Sequence, residues 1–349
     1  MIVQQNGEIF MVYKNAELHN VESIVKNDDG SVSWLRVPKY VYNAIESESG
    51  KAMAESSTGV EIRFVIKSGN AVIRMRTKTG DGIFHVYRGG IQGGWQDHEM
   101  HRIVTTEPAA YEISVSQSPE KLKKMSEMSG YDWDGNVIRI IFDRGTFEII
   151  DIVGDIEPPS KSSTPQKTIL AYGSSITHGS NSIDRSHSWA AVLAHNLNMD
   201  LRNLGMAGSC YLEPEFAEYI AFEGEMGKWD IATLELGINV LDWSDRKISD
   251  RVANMINTVA GRNPDKKVFV ISPLFHCGDY FDEVKSADKW RRLIKHEVEQ
   301  CDLENVIYIN GLDLLGDMAG ISADFIHPNI YGIAQIATKM TEIVVKTFE

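Results

Sequence analysis

Two kinds of hydrophobic spacing divide the chain. Up to residue 157 apolar and polar positions alternate in short runs such as 60–67, 71–76 and 137–142, interrupted at Ser68-Gly69-Asn70, Gly80-Asp81-Gly82 and Gly89-Gly90. A period of two with Gly and Asn breaks predicts antiparallel strands. The expected unit is a β-sandwich of jelly-roll type over residues 1–157, with short helices near 41–47 and 119–128.

The segment from Glu157 to Lys167 reads E-P-P-S-K-S-S-T-P-Q-K. Its prolines lack backbone donors and its small polar residues have little to bury, so residues 158–167 are expected to link two domains. Beyond it, over 168–349, the pattern changes. Compact apolar runs at 168–172, 201–204, 231–236, 268–271 and 306–309 alternate with segments at 189–197, 248–261, 287–301 and 331–348 whose apolar residues recur at three and four. Strands that alternate with one-sided helices predict a doubly wound parallel sheet, an α/β domain. Such sheets bind ligands beyond the carboxyl ends of their strands, so chemistry is sought in the residues just after each strand.

Composition narrows the partners. With 349 residues, 43% hydrophobic and 24% charged, the chain has ordinary globular composition. A net charge of −14 opposes binding to nucleic acid or an anionic membrane, and no basic patch offsets it. Residues 1–10 show neither a basic start nor an apolar core of a signal segment, and no apolar run reaches membrane-spanning length, so a cytoplasmic location is expected. Cys210, Cys277 and Cys301 are too few and too scattered for a disulfide framework or a zinc site.

Four blocks fall just after predicted strands. Gly173-Ser174-Ser175-Ile176-Thr177 leaves the first strand in a tight turn where Ser175 could stand as a nucleophile, although serines there also serve as caps. Thr177 occupies the place of the second glycine in a G-x-S-x-G elbow, which disfavours an α/β-hydrolase. Asn203-Leu204-Gly205-Met206-Ala207-Gly208-Ser209 brings backbone close to that turn. Leu236-Gly237-Ile238-Asn239 ends the third strand with a carboxamide, which is either a turn residue or a donor to developing negative charge. Asp324-Phe325-Ile326-His327-Pro328 sets a carboxylate and an imidazole three residues apart, so that Asp324 can hold the His327 tautomer that accepts a serine proton. Alone, that block also reads as a surface turn or half a metal site.

In this order and at these positions the four blocks resemble the SGNH hydrolase superfamily, also called GDSL esterases, over residues 168–348. The resemblance implies a flavodoxin-like domain with a five-stranded parallel sheet. It implies Ser175 as nucleophile, Gly208 and Asn239 as oxyanion-hole residues with the Ser175 amide, His327 as base and Asp324 as its orienting acid. It implies no metal and no organic cofactor. Ser174 stands where the GDSL name has aspartate, and Val240 where the family often has aspartate after the asparagine. The β-rich half resembles the domain that precedes some two-domain members, among them carbohydrate deacetylases of carbohydrate esterase family two and an acyltransferase that tailors a polyketide. The expected function is therefore a serine esterase that removes short acyl groups, most plainly acetyl from a carbohydrate or glycoside. An acyltransferase working through the same acyl-serine and a non-catalytic carbohydrate-binding protein are the alternatives.

The remaining polar residues carry weaker signals. His98-Glu99-Met100-His101 lacks the H-E-x-x-H register of a metal helix, and His187 beside Ser188-Trp189 reads as a helix cap or a cleft residue. Cys210 has no base placed for it. Phe275, His276 and Tyr280 lie on a loop expected over the site, while Phe84, Tyr87, Arg88 and Trp95 suit either a sugar-stacking rim or a core strand.

Overall fold

The computed structural model describes residues 2–5, 8–95, 98–281 and 287–349. Met1, Asn6 and Gly7 of the opening segment lie outside the described residues. The alternating half folds as antiparallel strands, twelve of them among the described residues joined in one hydrogen-bonded system. Its apolar positions converge on one core, with Ile62, Phe64, Ile73, Met75, Phe84 and Ile140 all sealed from solvent. On the opposite face Glu61 sits between Arg63 and Arg139, each 2.7 Å away, and both guanidiniums lie over the Trp133 ring. Burial disfavours the Glu61 charge, but the two arginines outweigh it and hold the carboxyl below its usual range.

One expectation needs correction here. Ser68-Gly69-Asn70 does not end a strand; a single strand runs Glu61–Thr77. Gly69 takes φ +69°, and the neighbouring strand Phe147–Glu157 absorbs the irregularity through register shifts near 150, 154 and 155. The bend lets one strand serve two sets of partners: residues 61–65 pair with Val137–Phe142, and 70–75 with Ala109–Ser114.

The domain division also differs from the expected one in one stretch. The chain forms two compact units, Met1–Lys39 with Ala54–Gln166, and Tyr40–Met53 with Lys167–Glu349. The excursion 40–53, helical over Lys39–Ala44 and Glu48–Ala54, leaves the β unit between ends drawn together by the Arg36 N–H on the Ala54 carbonyl. Residues 158–167 carry a short turn at Lys161–Ser163, whose Ser163 carbonyl accepts the Asp134 N–H.

The second unit holds five parallel strands, Thr168–Gly173, Asp200–Gly205, Ile231–Glu235, Lys267–Ile271 and Val306–Ile309, in spatial order two-one-three-four-five. That is the flavodoxin-like order, with its switch point between the first and third strands. The final helix Ile330–Phe348 buries Ile333, Ile336, Ala337, Met340 and Val344 in a core shared with Ala190, Leu193 and Ala194 of Trp189–Asn196. Helix Pro214–Glu225 was not expected. It buries Phe216, Ala217, Tyr219, Ile220 and Ala221, while an exposed Phe222 on its outer face and a buried Glu223 on its inner one blur the helical period. Among the described residues no helix is long and apolar enough to cross a membrane.

Candidate active site

Strand Thr168–Gly173 is apolar and buried from Ile169 to Tyr172, so its carboxyl end gives the next turn a rigid base. That turn opens with Ser174, whose Oγ accepts the Ile176 N–H at 3.1 Å and caps the short helix Ser175–His178. Ser175 is the first residue of that helix. Its own N–H is therefore one of the first-turn donors that a helix leaves without an internal acceptor.

The second strand closes on this turn from the side. Asn203 donates through Nδ2 to the Thr177 carbonyl at 2.9 Å and accepts the Gly205 N–H at 2.8 Å. Gly205 must be glycine, because a Cβ there would lie 2.3 Å from the His178 nitrogen. The chain then turns at Gly208, whose φ of +66° is the left-handed conformation, and Ser209 meets the Ser49 hydroxyl of the 40–53 excursion at 3.0 Å. Asn239, in a turn after the third strand, accepts the Cys210 N–H on Oδ1 at 3.1 Å. With its carbonyl end engaged there, the NH2 end is the group left to donate.

The carboxylate and imidazole come from the loop before the last helix. Asp324 Oδ1 accepts the Ile326 and His327 N–H groups at 3.1 and 3.0 Å, folding the loop back on itself, and Asn329 then caps the helix through the Tyr331 and Gly332 N–H groups. The other oxygen, Oδ2, lies 2.7 Å from His327 Nδ1. On the far side of the ring, His327 Nε2 lies 2.6 Å from Ser175 Oγ, although 152 positions separate the two in sequence. Burial disfavours the Asp324 charge, yet the two backbone donors and the ring outweigh it and bring the carboxyl to about 2. A charged Asp324 can only accept, so Nδ1 carries the proton and Nε2 is free to take one from Ser175.

The structure thus brings Ser175, His327 and Asp324 into one hydrogen-bonded line and joins the Gly208 and Asn239 segments through Cys210. Two further residues were not anticipated. Asn181 donates to Asp324 Oδ2 at 2.6 Å, and Glu235 accepts hydrogen bonds from residues on both sides of Ser175. Glu235 left a trace in the sequence as an acidic residue ending the otherwise uncharged strand Ile231–Glu235.

Other candidates separate from this line. Cys210 is buried, which pushes its thiol well above the ordinary range and away from the thiolate. Glu99 is ion-paired with Arg88, and the His101 ring packs edge-on to His85. His187 pairs with Asp184 at 2.8 Å. Phe84 belongs to the β core while Trp95 is exposed, and Phe275 and His276 are buried in a loop whose Cys277 N–H binds the Phe325 carbonyl.

Known proteins share this fold. Among solved structures, the salicylyl-acyltransferase SsfX3 from a tetracycline biosynthetic pathway is 16% identical, with a TM-score of 0.74 over 95% of each chain. A family two carbohydrate esterase from Cellvibrio japonicus is 12% identical, with a TM-score of 0.61 over 96% of this chain and 95% of that one. A family two carbohydrate esterase from Clostridium thermocellum, in complex with cellohexaose, is 15% identical, with a TM-score of 0.58 over 83% of this chain and 92% of its own. At such identities the likeness shows the fold. Among curated proteins no sequence matches the chain. Residues 166–345, just over half of the chain, match the GDSL-like Lipase/Acylhydrolase family as a sequence family, whose chemistry is that of acyl esters. The chain belongs to the GDSL-like Lipase/Acylhydrolase family.

Proposed function

We propose that this protein is a serine esterase that removes short acyl groups, acetyl from a carbohydrate or glycoside, through an acyl-serine intermediate. The observation that carries this reading is the Asp324, His327, Ser175 line, with contacts of 2.7 and 2.6 Å. As Ser175 Oγ bonds to the ester carbonyl carbon, its proton passes to His327 Nε2, and the carbonyl oxygen takes up the negative charge. The Ser175 and Gly208 N–H groups and the Asn239 amide are the donors for that oxygen, and removing one such donor costs ~3 kcal/mol of transition-state stabilisation. Collapse of the tetrahedral species breaks the bond to the alcohol, which leaves with the proton from Nε2. Water, deprotonated by the same nitrogen, then releases the acid and restores Ser175.

A carbohydrate as the alcohol portion is supported by the fold shared with two family two carbohydrate esterases. A second reading, transfer of the acyl group to an acceptor alcohol, is favoured by the fold shared with a salicylyl-acyltransferase over nearly the whole chain. The two differ only in what attacks the acyl-serine. The test is hydrolysis of nitrophenyl esters from acetate to octanoate, and of an acetylated sugar, by wild type and Ser175→Ala, with and without added acceptor alcohols. Activity confined to short chains and lost in the variant supports the esterase. Acyl product that forms only with an acceptor supports transfer, and a wild type inert in every assay overturns both.

A further inference from the structure

Glu235 closes the third strand and its side chain is sealed from solvent. A single oxygen, Oε2, gathers three donors from the nucleophile turn: the Ser174 N–H at 2.8 Å, the Ser174 hydroxyl at 2.6 Å and the Thr177 hydroxyl at 3.2 Å. These donors lie one residue before and two residues after Ser175. Its second oxygen, Oε1, is buried and has no hydrogen-bond partner among the described residues. Desolvation pushes the carboxyl above its usual range, against the pull of the Ser174 and Thr177 hydrogen bonds.

A buried carboxyl is costly, and the hydrogen bonds that offset the cost here come from Ser174 and Thr177. Everything it holds belongs to the turn that carries Ser175. The GDSL signature places an acid where this chain has Ser174. Here an acid reaches the same turn from the neighbouring strand, and Ser174 is its ligand. We propose that Glu235 is a positioning residue for the nucleophile, holding Ser174 and Thr177 so that Ser175 Oγ stays in line with His327 Nε2. The inference rests on Ser175 being the nucleophile.

Strand pairing alone leaves the turn less constrained. Gly173 is anchored through its carbonyl by the Met206 N–H, but Ser174 begins the change from strand to helix, where the ladder stops. Without Glu235 the Ser174 N–H and hydroxyl lose their shared acceptor inside a dry site, and the turn must shift to find others. A displacement near 1 Å at a reacting atom costs ~100-fold in rate.

The test compares Glu235→Ala, Glu235→Gln, Ser174→Ala and Ser175→Ala, using nitrophenyl acetate turnover, the rate of covalent labelling by a fluorophosphonate, and Tm. Glu235→Ala should lower kcat and the labelling rate by ~100-fold with KM little changed. Glu235→Gln retains an oxygen for the Ser174 donors and should recover to within ~10-fold of wild type. Ser174→Ala removes one of the three donors and should lose ~10-fold in kcat. If Glu235→Ala does not fold, the Gln and Ser174 variants decide. Wild-type labelling in the folded Glu235→Ala or Ser174→Ala protein, or equal losses in Glu235→Ala and Glu235→Gln, overturns the inference. Full turnover by Ser175→Ala would instead overturn the nucleophile assignment itself, which separates the two failures.

Discussion

Replacing Asp324 with asparagine keeps the shape of the side chain and exchanges one oxygen for an NH2 group. The structure makes the consequence specific. Oδ1 serves the Ile326 and His327 N–H groups at 3.1 and 3.0 Å, and Oδ2 serves His327 Nδ1 at 2.7 Å and Asn181 Nδ2 at 2.6 Å. One amide oxygen can satisfy only one of these sets. If it stays with the backbone donors that hold the loop, the NH2 group faces two donors. The ring escapes by moving its proton to Nε2, where it blocks acceptance of the Ser175 proton. In a serine protease triad this tautomer error costs ~10⁴-fold in kcat. Because the Asp324 side chain is 40% exposed, water relieves part of the conflict, and ~10³-fold is expected here. Asp324→Ala presents no wrong donor and lets water accept from Nδ1, so it should lose only ~10²-fold. The assay is kcat on nitrophenyl acetate for both variants, with Tm measured alongside. Asparagine matching or exceeding alanine would refute the tautomer reasoning.

Three further outcomes are expected. Asn239→Ala should lower turnover ~100-fold while the protein stays folded, and full activity would remove it from the oxyanion site. Gly205→Ala should cost about 2 kcal/mol of stability, read as a lower denaturation midpoint, because the new methyl meets the His178 nitrogen; an unchanged midpoint would contradict the close packing. The hydrogen bond to Asp184 raises the His187 pKa, so this pair stabilises the fold fully below the unfolded-state value and loses that contribution as pH rises through the folded one. The Tm gap between wild type and His187→Gln should therefore be wider near about pH 5.5 than near about pH 9, and a constant gap would contradict it.

The Asp324 shift has the opposite sign. Its carboxyl sits at about 2 in the folded protein, below the unfolded value of ~3.9, so its contribution is present above that unfolded value and is lost as pH falls through the folded one. Denaturation between about pH 4 and about pH 2 should be shallower in Asp324→Asn, which lacks the titrating group.

Much of the second unit was legible in one dimension. The strand Val306–Ile309 matches its apolar run to the residue, and the helices Asp288–Gln300 and Ile330–Phe348 begin and end within one position of their periodic segments. Ser175, Asn239, Asp324 and His327 stood out as candidates because each lies in a short block whose place after a strand or before a helix is a local property. The Asp324 and His327 pair was readable for the same reason, since three residues of one turn suffice to bring carboxylate to imidazole. Backbone preference and hydrophobic period act over a few residues, and those few residues can be read directly.

Tertiary structure decided what no local pattern contains. The 17-residue strand Glu61–Thr77 runs through a glycine break because four neighbouring strands among the described residues supply partners along its length. Residues 40–53 join the second unit through contacts such as Ser49 with Ser209, 160 positions apart. Glu235 lies 58 to 61 positions from the donors it holds, and Asn181 lies 143 from Asp324. Each is a single hydrogen bond or a small set of them, whose identity depends on which strand ends the fold makes neighbours. The sequence by itself determined most of the second unit's elements, their order and the candidate groups at their ends. The pairing of those ends, and with it the support around Ser175, was decided only by the folded chain, because buried polar groups must find partners wherever close packing places them.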